Sequence, residues 1–252
     1  RGGRRRRPHL NRWTLNVQSS SQPEAVAGPP VVPTLTRMFL MPLPSLAQNC
    51  AEWTLTQFAT ARIGVILVNI NPAYRLSEVD YTLNKVGVKA LVCAERFKTS
   101  HYTAMIDELA PEIASSTPGQ LKSARLPELR AVIQIGDAPG PGWLAFDAVS
   151  ALATEALRAE ADAIARGLDR KQPINIQFTS GTTGLPKGAT LSHRNILNNA
   201  YFVGLGMGLG QGDRLLIPVP LYHCFGMVMG NLACVVHGAT MVYASEGFDP
   251  LA

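Results

Sequence analysis

A run of glycines, hydroxyl side chains and one lysine occupies residues 179–188, directly after an alternating apolar segment that ends at Phe178. A polyphosphate needs several hydrogen-bond donors that converge on its oxygens, and glycines allow backbone amides to approach them closely. Hydrogen bonds to a charged group contribute about 1.5–3 kcal/mol each, so four or five of them can hold a triphosphate. The sequence therefore predicts a phosphate-binding loop formed by Thr179, Ser180, Gly181, Thr182, Thr183, Gly184, Leu185, Pro186 and Lys187.

Two other interpretations of this run are weaker. In a Walker-type loop, Ser or Thr follows the lysine at the start of a helix whose amino terminus faces the phosphates. Here Pro186 and Gly188 flank Lys187, and these two residues disfavour an immediate helix. A turn that binds no ligand is the alternative for any short cluster of this kind, and the length of the full string argues against it.

The segments around the loop alternate between helical and extended patterns, which favours an α/β fold with a mainly parallel sheet covered by helices. Helices are predicted at residues 51–61, 77–86, 101–109, 152–165, 192–203 and 227–236, and strands at 65–69, 90–93, 131–135, 174–178, 214–219 and 240–243. Ser77 with Asp80, and Ser192 with Asn195, are expected to cap two of these helices. The glycine-rich residues 204–210 fail the GxGxxG spacing of dinucleotide sites and are predicted to form a loop.

Two motifs carry a resemblance to a known family. The string from Phe178 to His193, FTSGTTGLPKGATLSH, resembles the AMP-binding signature of the adenylate-forming superfamily, which includes acyl-CoA synthetases, firefly luciferase and peptide-synthetase adenylation domains. The string from Ile217 to Gly226, IPVPLYHCFG, is similar to the next motif of that family. Residues 49–53 and 69–74 look like the fatty-acyl-CoA ligase branch, especially its medium-chain group. The resemblance covers residues 48–252.

The resemblance implies a two-step reaction with ATP and CoA. A fatty acid of medium to long chain would form an acyl-adenylate and pyrophosphate, and the CoA thiol would then displace AMP. The family pattern implies that Lys187 and the loop contact phosphate and that His223 lies beside the acyl carboxylate. Mg²⁺ is expected together with ATP, although no carboxylate cluster for it is evident in the sequence.

The alternative for a single histidine such as His223 is a structural role in the core, and its place between Tyr222 and Phe225 in a matching motif favours the functional role. The other histidines share no metal-ligand spacing, so no metal site is predicted. The apolar positions from Met227 to Val236 could line an acyl pocket, but helical spacing of this kind favours core packing.

The resemblance also implies features that do not occur in these residues: a Tyr-Gly-x-Thr-Glu segment, an Asp for the ribose, a hinge, a small carboxy-terminal domain and its adenylation Lys. We therefore expect a partial large amino-terminal domain at residues 48–252, and no ATP–pyrophosphate exchange by the isolated chain with octanoate or palmitate. Two alternatives stay open: a non-catalytic nucleotide-binding remnant, and another acyl-adenylating enzyme of the superfamily.

Residues 1–47 are expected to be an unstructured or non-native leader, with folded structure beginning near Asn49. Six of the 23 basic residues lie before residue 13, and the remaining 17 balance the 18 acidic residues. This balance argues against nucleic acid as a partner, because phosphate binding requires a basic patch on the folded surface. The arginine-rich start is interpreted as a transit-like segment, a basic arm or sequence foreign to the fold.

The apolar segments are too short or too interrupted for a membrane span, which needs about 20 residues. The four cysteines show no CxxC pair, and reduced thiols suit an intracellular compartment. The expected location is therefore the cytoplasm, with the mitochondrial matrix as the alternative because of the arginines. The sequence does not indicate an oligomeric state.

Overall fold

Helices and strands alternate along the chain. The computed structural model describes residues 43–136, 138–179 and 185–245, all within one unit. The strands are β1 (Leu43–Leu46), β2 (Leu67–Asn69), β3 (Ala90–Ala94), β4 (Arg96–Phe97), β5 (Ser100–His101), β6 (Ala131–Ile135), β7 (Leu144–Ala145), β8 (Pro173–Thr179), β9 (Lys187–Ser192), β10 (Arg214–Leu216) and β11 (Thr240–Val242).

Seven α-helices are found among the described residues. They are α1 (Ala51–Arg62), α2 (Leu76–Val86), α3 (Tyr102–Leu109), α4 (Phe146–Val149), α5 (Glu155–Gly167), α6 (His193–Gly206) and α7 (Ala233–His237). A π-helix, Phe225–Leu232, runs directly into α7. Across the described ranges, each helix falls short of the length and apolar character that a bilayer crossing requires.

One sheet of seven strands organises the described residues, in the order β7-β6-β3-β1-β2-β8-β9. Every neighbouring pair in it is parallel except β8 with β9, which form an antiparallel pair around the predicted phosphate loop. The predicted α/β fold with a mainly parallel sheet is therefore confirmed. Two further pairs lie outside this sheet: β10 with β11 is parallel, and β4 with β5 is antiparallel.

The core lies against the middle of this sheet. All residues of β2 and β3 are buried, as expected for parallel strands that helices cover on both faces. Trp53 of α1 and Ile106 of α3 are fully buried in the same core. The rigid centre of the sheet thus supports β8, the strand from which the candidate site projects.

Folded structure begins earlier than the sequence indicated. Leu43–Leu46 form β1, which pairs with both β2 and β3 and therefore lies inside the sheet. The sequence placed the start near Asn49 because Pro42 and Pro44 lack the N–H that a strand interior donates.

Three other predictions need correction at the level of local structure. Helix α2 begins one residue early, and its first turn is closed by Glu78 Oε2, which accepts from Arg75 N at 2.8 Å, instead of by Ser77 with Asp80. The predicted helix at 227–236 is a π-helix followed by α7. Residues Gly204–Gly206, expected in a loop, form the last turn of α6 because this helix continues past Val203. The predicted cap at Ser192 is confirmed, since Ser192 Oγ accepts from Asn195 N at 3.2 Å.

Candidate functional site

The ends of the predicted phosphate loop lie side by side. Thr179 ends β8 and Lys187 begins β9, and the two residues are paired across the antiparallel ladder. Thr179 Oγ1 donates to the Lys187 carbonyl at 3.4 Å, which closes the base of the loop. Ser180, Gly181, Thr182, Thr183 and Gly184 lie outside the described residues.

Lys187 is exposed at the base of the predicted loop. Thr179, Leu185 and Lys187 are exposed, and no acidic side chain among the described residues forms an ion pair with Lys187. Gly188 belongs to β9 and faces Phe178 across the ladder, so it contributes to the strand instead of the loop. The Lys187 ammonium suits an anion because it donates hydrogen bonds, whereas the Thr179 hydroxyl already donates to the Lys187 carbonyl.

His223 lies in the turn from Pro220 to Cys224 and is exposed. Its backbone N–H donates to the Pro220 carbonyl at 3.2 Å. Its ring Nδ1 accepts from the backbone N–H of Phe225 at 3.2 Å. With Nδ1 accepting, the neutral ring carries its proton on Nε2, and that nitrogen is therefore a donor suited to a carboxylate.

The turn of His223 is tied to the strand that carries the loop. Gln177 of β8 donates through Nε2 to the Tyr222 carbonyl at 2.7 Å. Since a strand advances about 3.3 Å per residue, Thr179 lies about 7 Å beyond Gln177 on the same strand. The structure thus brings the two sequence motifs to neighbouring positions at the carboxyl end of β8.

Asn49 fixes the segment that leads into this turn. Its Nδ2 donates to the Val219 carbonyl at 2.9 Å, and its Oδ1 accepts from the Leu221 amide at 2.8 Å. Sequence reasoning missed both Asn49 and Gln177. The only local signal for Gln177 was a pair of amide side chains, Asn175 and Gln177, at alternate positions in a strand that is otherwise apolar.

The π-helix continues directly from the turn. Its residue Met227 donates through the backbone N–H to the His223 carbonyl at 3.0 Å. Met227 and Val228 are buried, which agrees with the core packing expected for this segment. π-helical turns are frequent at functional sites because an added residue shifts the direction of the side chains that follow.

A buried polar cluster links the π-helix to α1 and to the end of β11. Asn231 Nδ2 donates to Thr54 Oγ1 at 3.0 Å and to Gln57 Oε1 at 3.2 Å, and its Oδ1 accepts from the Tyr243 hydroxyl at 2.7 Å. Burial raises the pKa of Tyr243 to about 12, so this hydroxyl stays protonated at neutral pH. The cluster ties Asn231 of the π-helix to α1, more than 170 positions away, and to Tyr243, 12 positions away.

A cavity of about 100 Å³ lies between α1, β8, α6 and the π-helix. Its lining includes Phe58, Leu67, Asn175, His193 and Met227. Asn175 Oδ1 and His193 Nε2 are buried and have no hydrogen-bond partner among the described residues. Desolvation lowers the pKa of His193, so this ring is neutral at pH 7.

The described residues offer no metal site of their own. They contain no group of three or more His, Cys, Asp and Glu side chains that could hold a metal ion. Mg²⁺ that accompanies ATP is usually held by the phosphates and only one or two carboxylates, so it does not require such a group.

Comparisons with known proteins find similar proteins for most of the chain. The model of the AMP-binding enzyme family matches residues 45–252. The chain is 48% identical over 204 residues to the mitochondrial medium-chain acyl-CoA ligase ACSF2 of Danio rerio, which covers 80% of this chain and 33% of that protein. It is 43% identical over 205 residues to the putative acyl-CoA synthetase YngI of Bacillus subtilis, covering 81% of this chain and 37% of that protein. The chain thus spans about a third of the length of these curated relatives.

Solved structures show the same fold. The anthranilate CoA ligase AuaEII in complex with anthranoyl-AMP superposes with a TM-score of 0.63 at 22% identity, covering 85% of this chain and 38% of that one. A putative long-chain-fatty-acid CoA ligase from Rhodopseudomonas palustris gives a TM-score of 0.64 at 21% identity, covering 87% of this chain and 49% of that one. At these identities the likeness concerns the fold, while the family follows from the match over residues 45–252. This chain belongs to the AMP-binding enzyme family.

Proposed function

We propose that this chain is the phosphate-binding and carboxylate-binding part of an ATP-dependent fatty-acid:CoA ligase. One observation carries the proposal: the Thr179–Lys187 pair that closes the loop and the turn that bears His223 are attached to the same strand. An anion-binding loop beside a donor for a carboxylate is the arrangement that joining an acid to a nucleotide requires.

The proposed reaction has two steps. A carboxylate oxygen attacks the α-phosphorus of ATP, the bond from that phosphorus to the bridging oxygen breaks, and pyrophosphate leaves with the electron pair. The thiolate of CoA then attacks the acyl carbon, and AMP leaves as the acyl–oxygen bond breaks. The products are acyl-CoA, AMP and pyrophosphate.

Lys187 and His223 have different roles in this proposal. The Lys187 ammonium and the loop donors stabilise the negative charge that develops on the leaving pyrophosphate, and such charge stabilisation lowers the barrier. His223 Nε2–H donates to one oxygen of the carboxylate and orients the other toward phosphorus. The loop residues 180–184 would add their hydroxyls and amides to the phosphate contacts.

The substrate and location are proposed from the relatives. Their names describe medium-chain acyl-CoA ligases, which supports a fatty acid of medium chain within the medium to long range. The vertebrate relatives are named as mitochondrial, which supports the mitochondrial matrix over the cytoplasm. Fractionation of cells that express the full-length protein distinguishes these two compartments.

The test is ATP–pyrophosphate exchange driven by octanoate or palmitate in the full-length protein. We expect Lys187→Gln to lower the exchange rate about a hundredfold, because loss of one charge-stabilising donor has an effect of this size. Lys171, an exposed lysine in the turn before β8, provides the matched control, and Lys171→Gln should leave the rate unchanged. Equal rates for the two variants would contradict the proposed role of the loop.

The same assay separates the alternatives. A non-catalytic nucleotide-binding protein would bind ATP without any exchange in the presence of fatty acids. Another acyl-adenylating enzyme would show exchange with an aromatic or amino acid and none with octanoate or palmitate. Mass-spectrometric detection of acyl-CoA after addition of CoA identifies the second step.

A further inference from the structure

A buried glutamine connects the two halves of the candidate site. Gln177 is 6% exposed and uses both ends of its amide. Its Nε2 donates to the Tyr222 carbonyl at 2.7 Å, and its Oε1 accepts from Asn69 Nδ2 at 3.1 Å. The thiol of Cys224 also donates to Oε1, at 3.5 Å. One side chain thereby contacts the residues on both sides of His223.

The orientation of this amide is set by neighbouring strands. Asn69 of β2 is fully buried and is paired with Gln177 in the sheet. Asn69 Oδ1 accepts from Asn175 Nδ2 at 3.4 Å, and Asn175 Nδ2 also donates to the Leu67 carbonyl at 2.9 Å. Because buried amides are costly without partners, this arrangement holds Gln177 with its donor toward Tyr222.

The position of Gln177 matters for the distance between the reacting groups. It lies two residues before Thr179 and bonds directly to the residue before His223. Displacement of a reacting group by about 1 Å can lower a rate about a hundredfold. A side chain that sets the distance from the loop to the turn can therefore control the reaction without contacting substrate.

We propose that Gln177 is a positioning residue that holds the turn of His223 at a fixed distance from the phosphate loop and so sets the affinity for the carboxylate substrate. This inference rests on the proposed function. A glutamine with a purely structural role would affect the stability of the protein and the use of both substrates alike. A positioning role affects the carboxylate selectively, because the loop continues β8 through the backbone whereas the turn is linked to β8 through this side chain.

The kinetic test compares two buried glutamines of the same sheet in the full-length protein. Gln177→Met keeps the length of the side chain and removes its hydrogen bonds. Gln134 of β6 is 4% exposed, and its amide contacts Ala138 and Gly140, away from the candidate site. We expect Gln177→Met to lower kcat/KM for octanoate about tenfold to a hundredfold through a higher KM for octanoate, with KM for ATP within about twofold, and Gln134→Met to change neither KM. The proposal would be overturned if KM changed equally for ATP and for octanoate. It would also be overturned if Gln177→Met and Gln134→Met had the same kinetic constants.

A second measurement reports on the turn without any substrate. Cys224 is half-buried, and burial raises the pKa of its thiol, so alkylation in the native protein is slow. Release of the turn in Gln177→Met should accelerate alkylation of Cys224 at least severalfold, as measured by peptide mass spectrometry. Cys93, which is fully buried in β3, is the internal control and should stay unreactive. Unchanged alkylation of Cys224 would contradict the positioning role.

Gln177→Asn covers the case in which the methionine variant does not fold. It keeps an amide but is shorter by one carbon, so it cannot reach the Tyr222 carbonyl. We expect the same selective loss of kcat/KM for octanoate and the same faster alkylation of Cys224. A folded Gln177→Asn protein with the native kcat/KM and the native alkylation rate would refute the inference. If alkylation accelerates but the native protein forms no acyl-adenylate, the positioning geometry stands and the proposed function fails.

Discussion

His223 is oriented mainly by two hydrogen bonds with nearby backbone groups. One is made by its ring and the other by its own backbone amide. The ring accepts from Phe225 N, and the backbone N–H donates to the Pro220 carbonyl. The first contact requires the imidazole and fixes its orientation, whereas the second is made by the backbone alone. The identity of the side chain then decides whether a donor is present there.

Sequence reasoning predicted His223 and Lys187 as site residues but did not point to the residues that contact them. A motif shows which side chains can bind anions, and the structure places both predicted residues at exposed positions near one strand end. Asn49 lies 170 residues from its partner Val219, so no local pattern could reveal that contact. Gln177 likewise acts through a carbonyl 45 residues away.

Gly226 permits a close contact inside the site. A Cβ atom at this position would lie 2.5 Å from the Pro220 carbonyl oxygen and 2.8 Å from its carbon. These are backbone atoms of the turn that carries His223, so they cannot move away independently. We expect Gly226→Ala to lower the free energy of unfolding by about 1–3 kcal/mol, as overpacking does.

Urea denaturation of the full-length protein measures this effect. Gly206→Ala is the control, because nothing lies within 4 Å of a Cβ built at Gly206. Alanine is favoured over glycine in a helix by up to about 1 kcal/mol, so this variant should be as stable as the native protein or more stable. Equal stability of the two variants would show that the contact at Gly226 relaxes freely.

At the level of elements, the two predicted helix caps had different outcomes. Ser192 caps α6 as expected, whereas Ser77 lies inside the first turn of α2 and is exposed. The reason is that Glu78 already closes this turn by accepting from Arg75 N, which moves the start of the helix by one residue. The same kind of sequence pattern therefore predicted the cap of α6 correctly and the cap of α2 wrongly.

This difference predicts unequal effects of the same substitution. Ser192→Ala should destabilise the protein by about 1 kcal/mol, because the amides at the start of α6 lose their acceptor. Ser77→Ala should change stability by less than about 0.5 kcal/mol, as is usual at an exposed position. Thermal unfolding of both variants, compared at equal protein concentration, checks the prediction. If Ser77→Ala lowered the stability more than Ser192→Ala, Ser77 would cap α2 in solution, as the sequence predicted.

The π-helix could not be predicted from its sequence. The mostly apolar residues 227–236 indicate a helix, but they do not distinguish the i to i+4 hydrogen bonds of an α-helix from the i to i+5 hydrogen bonds of a π-helix. The wider turn depends on packing: Gly230 lies where a Cβ would be 2.9 Å from the side chain of Ile217. That contact joins residues 13 positions apart, a separation longer than the three- and four-residue spacing from which a helix is predicted.

For the whole molecule, the class of the sheet was predictable and the order of its strands was not. Alternating helices and strands indicate parallel pairing, and this expectation is confirmed. The insertion of β1 between β3 and β2, and the return of β8 beside β2, depend on long-range pairing. Many such orders satisfy the same local pattern, so the sequence alone does not select among them.

The position of each strand in the sheet predicts how its amides exchange with solvent. Peptides that cover Ala90–Ala94 should be among the slowest to exchange, because β3 is buried and is paired on both sides. Peptides that cover the start of β9 should exchange much faster, because this strand is exposed and lies at the edge. Hydrogen–deuterium exchange with mass spectrometry tests this order, and equal rates would contradict the sheet topology.

The contact between Thr54 and Tyr243 has a consequence for biosynthesis. The two hydroxyls lie 2.8 Å apart although 189 positions separate them in the sequence. At translation rates of about 5–20 residues per second, α1 leaves the ribosome roughly 10–40 s before its partner at the end of β11 exists. During that interval water takes the place of Asn231 and Tyr243 as hydrogen-bond partner of Thr54 and Gln57, so this polar cluster is completed only late in synthesis.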